Sequence, residues 1–213
     1  SVSPAGTNNF DWVALKYDPA GNLLWSARRG GTFLWPDYCW GMSVGPNDEV
    51  LLSGTLAANP GGYCAAKFDG AGNHVWTRAL GVPGGAPYCE VRANAAGDVF
   101  CASASSVVSL DTAGNARWQR SVSGQARALE LDPLGRVLVT SSLGVTPNRQ
   151  QFVLAAFDAS GAPHGLLVWG GANDDEFASR GLVTTPLGAI YAAGSSSNGH
   201  DNDGFVARVV IVP

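Results

Sequence analysis

Three aromatic rings and one carboxylate crowd a short stretch of this chain: Trp35, Asp37, Tyr38 and Trp40. Aromatics beside an acidic residue on a loop can grip a sugar, with ring faces stacked on the pyranose. The competing use of the same rings is to cap a core. Two acidic loops, Asn173-Asp174-Asp175-Glu176 and Asp201-Asn202-Asp203, offer the oxygen ligands that calcium takes. Asp174, Asp175, Asp201 and Asp203 are the candidate ligands, although neither loop has the spacing of an Asp-x-Asp-x-Asp-Gly calcium loop. Their alternative work is to form turns and to blunt strand edges. Glu90, Glu130 and Glu176 could gather a cation or a sugar. His74, His164 and His200 are scattered, and no convergent set of acid, base and nucleophile is legible. The chain is expected not to be an enzyme, and calcium is the one cofactor the residues suggest.

The elements that carry these residues follow from composition and repetition. Hydrophobic residues make up 46% of the 213 residues and charged residues 14%, with 28 Gly and 12 Pro. That balance suits short strands joined by tight turns. The net charge is −4 and the longest basic run is Arg28-Arg29, which argues against nucleic acid. No apolar stretch is long enough to span a bilayer as a helix. No charged-then-apolar segment opens the chain, so export would put Ser1 behind a removed signal or inside a longer precursor.

An Asp-x-x-Gly step recurs at Asp18/Gly21, Asp69/Gly72, Asp111/Gly114 and Asp158/Gly161, at intervals of 51, 42 and 47 residues. Trp25, Trp76 and Trp118 each follow that glycine by four residues, a place for a large ring between neighbouring sheets. The fourth copy departs, with Gly165 in the aligned position and Trp169 beyond it. A second phrase lies between the copies, at 42–54, 91–103, 129–141 and 182–194: apolar alternation, a polar turn, then a β-rich run. Each phrase reads as a hairpin, and two hairpins every 40 to 50 residues make the four strands of a propeller blade. The expected fold is an all-β propeller of about four repeats of four antiparallel strands, permuted or part of a larger ring. Residues 1–213 form one domain in this reading, with repeats at about 10–62, 63–104, 105–150 and 151–203, and a partial copy at 204–213. If the second phrase supplies strands A and B and the Asp-x-x-Gly phrase C and D, the chain opens on a C–D hairpin. It then closes on A–B with a lone C strand. An open propeller would pair its unpaired strand with another chain.

The phrases resemble the SBBP-type bacterial β-propeller repeat. The resemblance rests on Phe157-Asp158-x-x-Gly161, on Gly-Asn-x-x-Trp at Gly21, Gly72 and Gly114, on Gly30-Gly31 and Gly170-Gly171, and on Gly194. It implies a propeller in an extracytoplasmic bacterial setting, secreted, periplasmic or on the cell surface, and carries no common catalytic residues. The function expected is a non-enzymatic binding or scaffold module for a protein or glycan ligand. Its rivals are a lectin using the aromatic loop and a propeller enzyme of the glycosidase or quinoprotein type.

Four cysteines, Cys39, Cys64, Cys89 and Cys101, form no C-x-x-C pair, and an even count fits an oxidising compartment. Counting outward from a turn centred near Ala95 sets Cys89 across from Cys101, roughly 4.5 Å apart at a non-hydrogen-bonded pair and so within disulfide reach. Cys39 with Cys89 is the competing pairing.

Overall fold

The computed structural model describes residues 10–31, 36–57, 62–81, 89–146, 149–170, 175–197 and 202–211, with the backbone alone at 175–177, 179 and 202. Among them are seventeen strands and no helix. β1 (Trp12–Tyr17) and β2 (Leu23–Arg29) form a two-stranded sheet. β3 (Tyr38–Val44), β4 (Val50–Leu56), β5 (Gly62–Phe68) and β6 (His74–Gly81) form the first four-stranded one. β7 (Cys89–Ala93), β8 (Val99–Ser103), β9 (Ser106–Leu110) and β10 (Ala116–Ser121) form the second. β11 (Gln125–Leu131), β12 (Val137–Thr146), β13 (Arg149–Phe157) and β14 (Pro163–Trp169) form the third. β15 (Asp175–Thr184), β16 (Ile190–Ser197) and β17 (Asn202–Val209) end the chain as a three-stranded sheet. Strands adjacent in sequence are adjacent in the antiparallel sheets. The fold is an all-β propeller of about four repeats of four antiparallel strands. Its phase is the expected one: a C–D hairpin, three complete sheets, then A, B and C.

The chain divides into two compact units, Ser1–Cys101 with Leu110–Asn115, and Ala102–Ser109 with Ala116–Pro213. In the first, Trp12, Ala14 and Ala27 of the two-stranded sheet pack on Leu52, Leu56, Cys64, Ala66 and Phe68. In the second, Ala128, Leu138, Phe152 and Leu154 pack on Ala178, Leu182, Ile190 and Ala192. Each core is thus made where one sheet faces the next.

The Asp-x-x-Gly turns have a local cause. In the first copy Asp18 N donates to Asn22 O (2.9 Å) and Gly21 N to Asp18 O (3.0 Å), while the Asp18 carboxylate accepts from Asn22 N (2.8 Å). The same bonds recur at Asp69, Asp111 and Asp158. The Asn22 side chain, then its backbone N–H, holds the Asp18 carboxyl below its usual range. Gly114, at φ +81°, closes the third turn in the left-handed region that other residues resist.

That glycine has a second task. The Trp76 ring lies on it, so close that a Cβ there would stand 2.9 Å from the indole. The Trp76 N–H donates to Thr112 O (3.1 Å), one residue past the turn's Asp. Trp25 sits likewise on Gly72 and donates to Gly70 O (3.0 Å), and Trp118 sits on Gly161 and donates to Ala159 O (3.0 Å). Arg78 and Arg120, two residues beyond their tryptophans, add bonds to Gly114 O (2.8 Å) and Gly161 O (2.7 Å). The rings therefore join consecutive repeats, as their spacing suggested.

The disulfide expectation is corrected. All four cysteines are free thiols. Asn94 N bonds Asp98 O (3.0 Å) and Gly97 N bonds Asn94 O (3.0 Å), so this hairpin is centred on Ala96, one residue later than the centre used above. Counting from there sets Cys101 opposite Val91, and Cys89 lies two residues away along its strand. Aligning the same turn with that at Gly45–Glu49 matches Cys89 to Trp40 and not to Cys39, which removes the competing pairing's premise. Burial pushes the Cys64 thiol up to about 11 and the Cys89 thiol up to about 12.

Two predictions follow from these contacts. Gly21 has the same φ (+85°) as its counterparts, but nothing lies within 4 Å of a Cβ placed there. Gly21→Ala should cost the left-handed penalty alone, roughly 1–2 kcal/mol. Gly114→Ala should cost about 1–3 kcal/mol more by displacing the Trp76 ring. Urea denaturation of the two variants measures the difference, and equal losses would remove the indole from the account. The second prediction concerns the Lys67–Glu49 pair, 2.9 Å apart and nearly buried. Burial by itself would raise the Glu49 pKa, but hydrogen bonds from Lys67 and Asn47 outweigh it and hold the group at about 2, below its ordinary 4.5. Its contribution to stability is complete above about pH 4.5 and disappears as the pH falls toward 2. A Glu49→Gln variant should therefore lose less stability than the wild type over that window in a pH series of denaturation curves.

Candidate binding surface

Of the aromatic cluster, Asp37 proves to be structural. It is fully buried, and its carboxylate accepts from Gly31 N (2.6 Å) and Ala57 N (2.5 Å), while its own N–H donates to Phe10 O (2.8 Å). A buried carboxylate bonded to backbone in this way fixes loops and has no face for a ligand. It corrects the expectation that Asp37 binds. Trp35 lies outside the described residues. Tyr38 is 45% exposed and stacks on the half-buried Trp40, with ring centroids 5.6 Å apart and planes at 29°.

A β-bulge explains the pair's placement. Cys39 faces Gly54 and Gly41 faces Ser53, which leaves Trp40 as the extra residue of β3. Bulges re-aim a side chain and bend their strand. Gly41 is required beside it, because a Cβ there would meet Ser53 Oγ at 2.5 Å and Cys89 O at 2.6 Å.

The remainder of β3 continues the surface. Met42 pairs across the sheet with Leu52, on the face that looks toward β1 and β2, yet Met42 is 63% exposed. Its counterparts three residues before the same turn, Val91, Leu129 and Leu182, are all buried. Leu182 shows the reason: its cluster includes Ala128 of β11 and Leu138 of β12, the first two strands of the preceding sheet. Among the described residues the sheet before β3 has only β1 and β2, and Met42 lacks an equivalent cover. Val44 on the same strand is exposed as well. On β1 itself, Tyr17 is 54% exposed although Phe68, Leu110 and Phe157, its equivalents, are buried. Sequence reading missed Met42 and Tyr17.

The other candidates are dispersed. Asp174 and Asp201 lie outside the described residues. The backbone register places Asp175 opposite Ser197, and the exposed Asp203 opposite Ser196. Among the described residues no group of three His, Cys, Asp or Glu side chains is placed to hold a metal. Glu90 is nearly buried and pairs with Arg92 at 3.6 Å, and Glu130 accepts from Leu131 N (3.0 Å). Only backbone is described for Glu176. His74 meets Thr77 Oγ1 at 2.8 Å and lies edge-on to Phe68; burial, then the charge of Arg29, lowers its pKa. His164 is exposed on β14, and His200 lies outside the described residues.

No protein-family model and no curated protein matches the sequence. Solved structures do match in fold. A protein of unknown function from Bacteroides caccae superposes with a TM-score of 0.52 at 16% identity, over 89% of this chain and 65% of that one. The Pan2 WD40 domain of Neurospora crassa gives 0.51 at 12% identity, over 89% and 67%. The chain thus spans slightly under two thirds of the first protein's length. Likeness at this identity concerns the propeller fold alone.

Asp37→Ala should destabilise by roughly 2–4 kcal/mol, since two buried N–H groups lose a charged acceptor. Met42→Ser should stay within about 0.5 kcal/mol of wild type, as exposed positions do. Thermal and urea unfolding of both variants tests the assignment of one residue to structure and the other to surface.

Proposed function

We propose that this propeller is a non-catalytic binding module, and that its working surface is the uncovered face of β3 beside the unpaired edge of β1. The observation that carries the reading is Met42, exposed at a position the other repeats bury under two strands. Among the described residues β1 pairs only with β2, so its second edge can accept a strand by backbone hydrogen bonds. A protein partner that adds a hairpin there lays apolar side chains over Met42 and Val44, with Tyr38 at the rim. A second copy offering a terminal strand is one such partner. The setting that goes with this reading is an exported bacterial protein, supported by the repeat resemblance; the four free thiols count against an oxidising compartment.

A second reading is favoured by the stacked Tyr38–Trp40 pair, whose exposed ring could carry a sugar. A synthetic hairpin spanning residues 125–142, strands A and B of a complete repeat, separates the two. In the protein reading it binds, protects β1 amides from hydrogen exchange, and binds at least tenfold more weakly to Met42→Lys of unchanged melting temperature. No binding by the hairpin, together with a glycan-array signal lost in Trp40→Ala, would replace that reading with the carbohydrate one.

A further inference from the structure

The fourth repeat breaks the tryptophan rule, and the break leaves a slot. Gly165 stands where Trp25, Trp76 and Trp118 stand in the other copies, seven residues after the turn's Asp. An apolar pocket of about 200 Å³ opens beside it, lined by Leu154, Ala156, Gly165, Leu167, Val209 and Ile211. The arginine that follows two of the tryptophans by two residues is here Leu167, so the wall that was polar is now apolar.

The strand register places a backbone carbonyl at the position of the other indole acceptors, with Val210 in place of the turn's Asp. β16 pairs Ile190 with Val209 as β4 pairs Val50 with Phe68 and β12 pairs Val137 with Phe157. Two residues beyond those partners lie Gly70 and Ala159, whose carbonyls accept the indoles of Trp25 and Trp118. The third equivalent is Ile211. Its side chain borders the slot, with Cγ2 3.1 Å from a Cβ placed on Gly165, and no described residue donates to its carbonyl. An apolar cavity of about 150 Å³ is enough to take up benzene in another protein; this one has room for a bicyclic ring. The geometry points to a binding site for a small free indole, its ring in the place left by the missing tryptophan and its N–H on the Ile211 carbonyl. The site is separate from the β3 surface and does not depend on that reading.

Methyl NMR of the full chain, titrated with free indole to millimolar concentration, tests it. Saturable shifts are expected at Leu154, Leu167, Val209 and Ile211. Indene, which keeps the rings and lacks the N–H, should bind several-fold to about tenfold more weakly, the worth of one net hydrogen bond. Gly165→Trp should abolish binding, because its own ring fills the slot. If that variant does not fold, Gly165→Leu blocks the same space with a smaller side chain. No shifts at these methyls overturns the proposal, as does equal affinity in a folded blocking variant. A Trp-bearing peptide that binds the slot over a hundredfold more tightly than indole would show a joint for another chain, and would also overturn it.

Discussion

The contact on which the repeat depends is an indole lying on a glycine. The Asp-x-x-Gly turn bends the chain so that the Gly Cα is bare and the carbonyl after the Asp points outward, and the tryptophan of the neighbouring repeat uses both. Its ring covers the glycine while its N–H meets the carbonyl, which satisfies the polar tip of a large apolar group. A Cβ would push the ring away and strain the backbone at once. One residue is therefore fixed for two reasons, by its own turn and by the next sheet's side chain. The joint holds neighbouring sheets at a set distance, and small residues then fill what lies between them: Ala65 and Ala66 on β5, Ala155 and Ala156 on β13, all buried.

Hydroxyls repeat the idea within each unit. Ser53 donates to Cys89 O (2.8 Å), Thr184 to Leu131 O (2.9 Å), and Ser142 accepts from Ala178 N (3.1 Å), each bond crossing from one sheet to the next. Antiparallel ladders satisfy backbone groups within a sheet, but a bulge leaves some unpaired where the first strand of the following sheet begins. Ser53 near the end of the first such phrase and Ser142 just past the third supply partners from buried positions. A β-rich strand of larger apolar residues would pack there and leave those groups without a bond.

Hairpins, strand phase and the ring joints were legible in the sequence because each is local. A turn's Asp and Gly sit three residues apart, and a tryptophan at constant spacing must meet the same neighbour every time. The cysteines show where that locality fails. Placing the turn centre at Ala95 in place of Ala96 moved the opposing partner of Cys101 by two residues, from Val91 to Cys89. Asp37 was misjudged for a related cause. A carboxylate among aromatic rings looks the same in sequence whether it faces solvent or accepts bonds from Gly31 and Ala57, which lie on either side of it in the chain. The exposure of Met42 needed knowledge of what the preceding sheet lacks, which no window around residue 42 contains.

Lys16 and Lys67 make the general point about where function can reside in such a molecule. They hold the same position in successive repeats, two residues before the turn's Asp. Lys67 turns to Glu49 of its own sheet and is nearly buried, whereas Lys16 reaches Asp48 and the Gly70 carbonyl of the next sheet. The third and fourth copies have Ser109 and Ala156 there, both buried and neither charged. A position in the repeat thus sets the backbone and little else, and the neighbours decide the chemistry. Residues that obey the repeat are occupied with holding sheets together. The departures, Trp40 in its bulge, Met42 without its cover and Gly165 without its ring, are the ones whose surfaces are not already used by the fold.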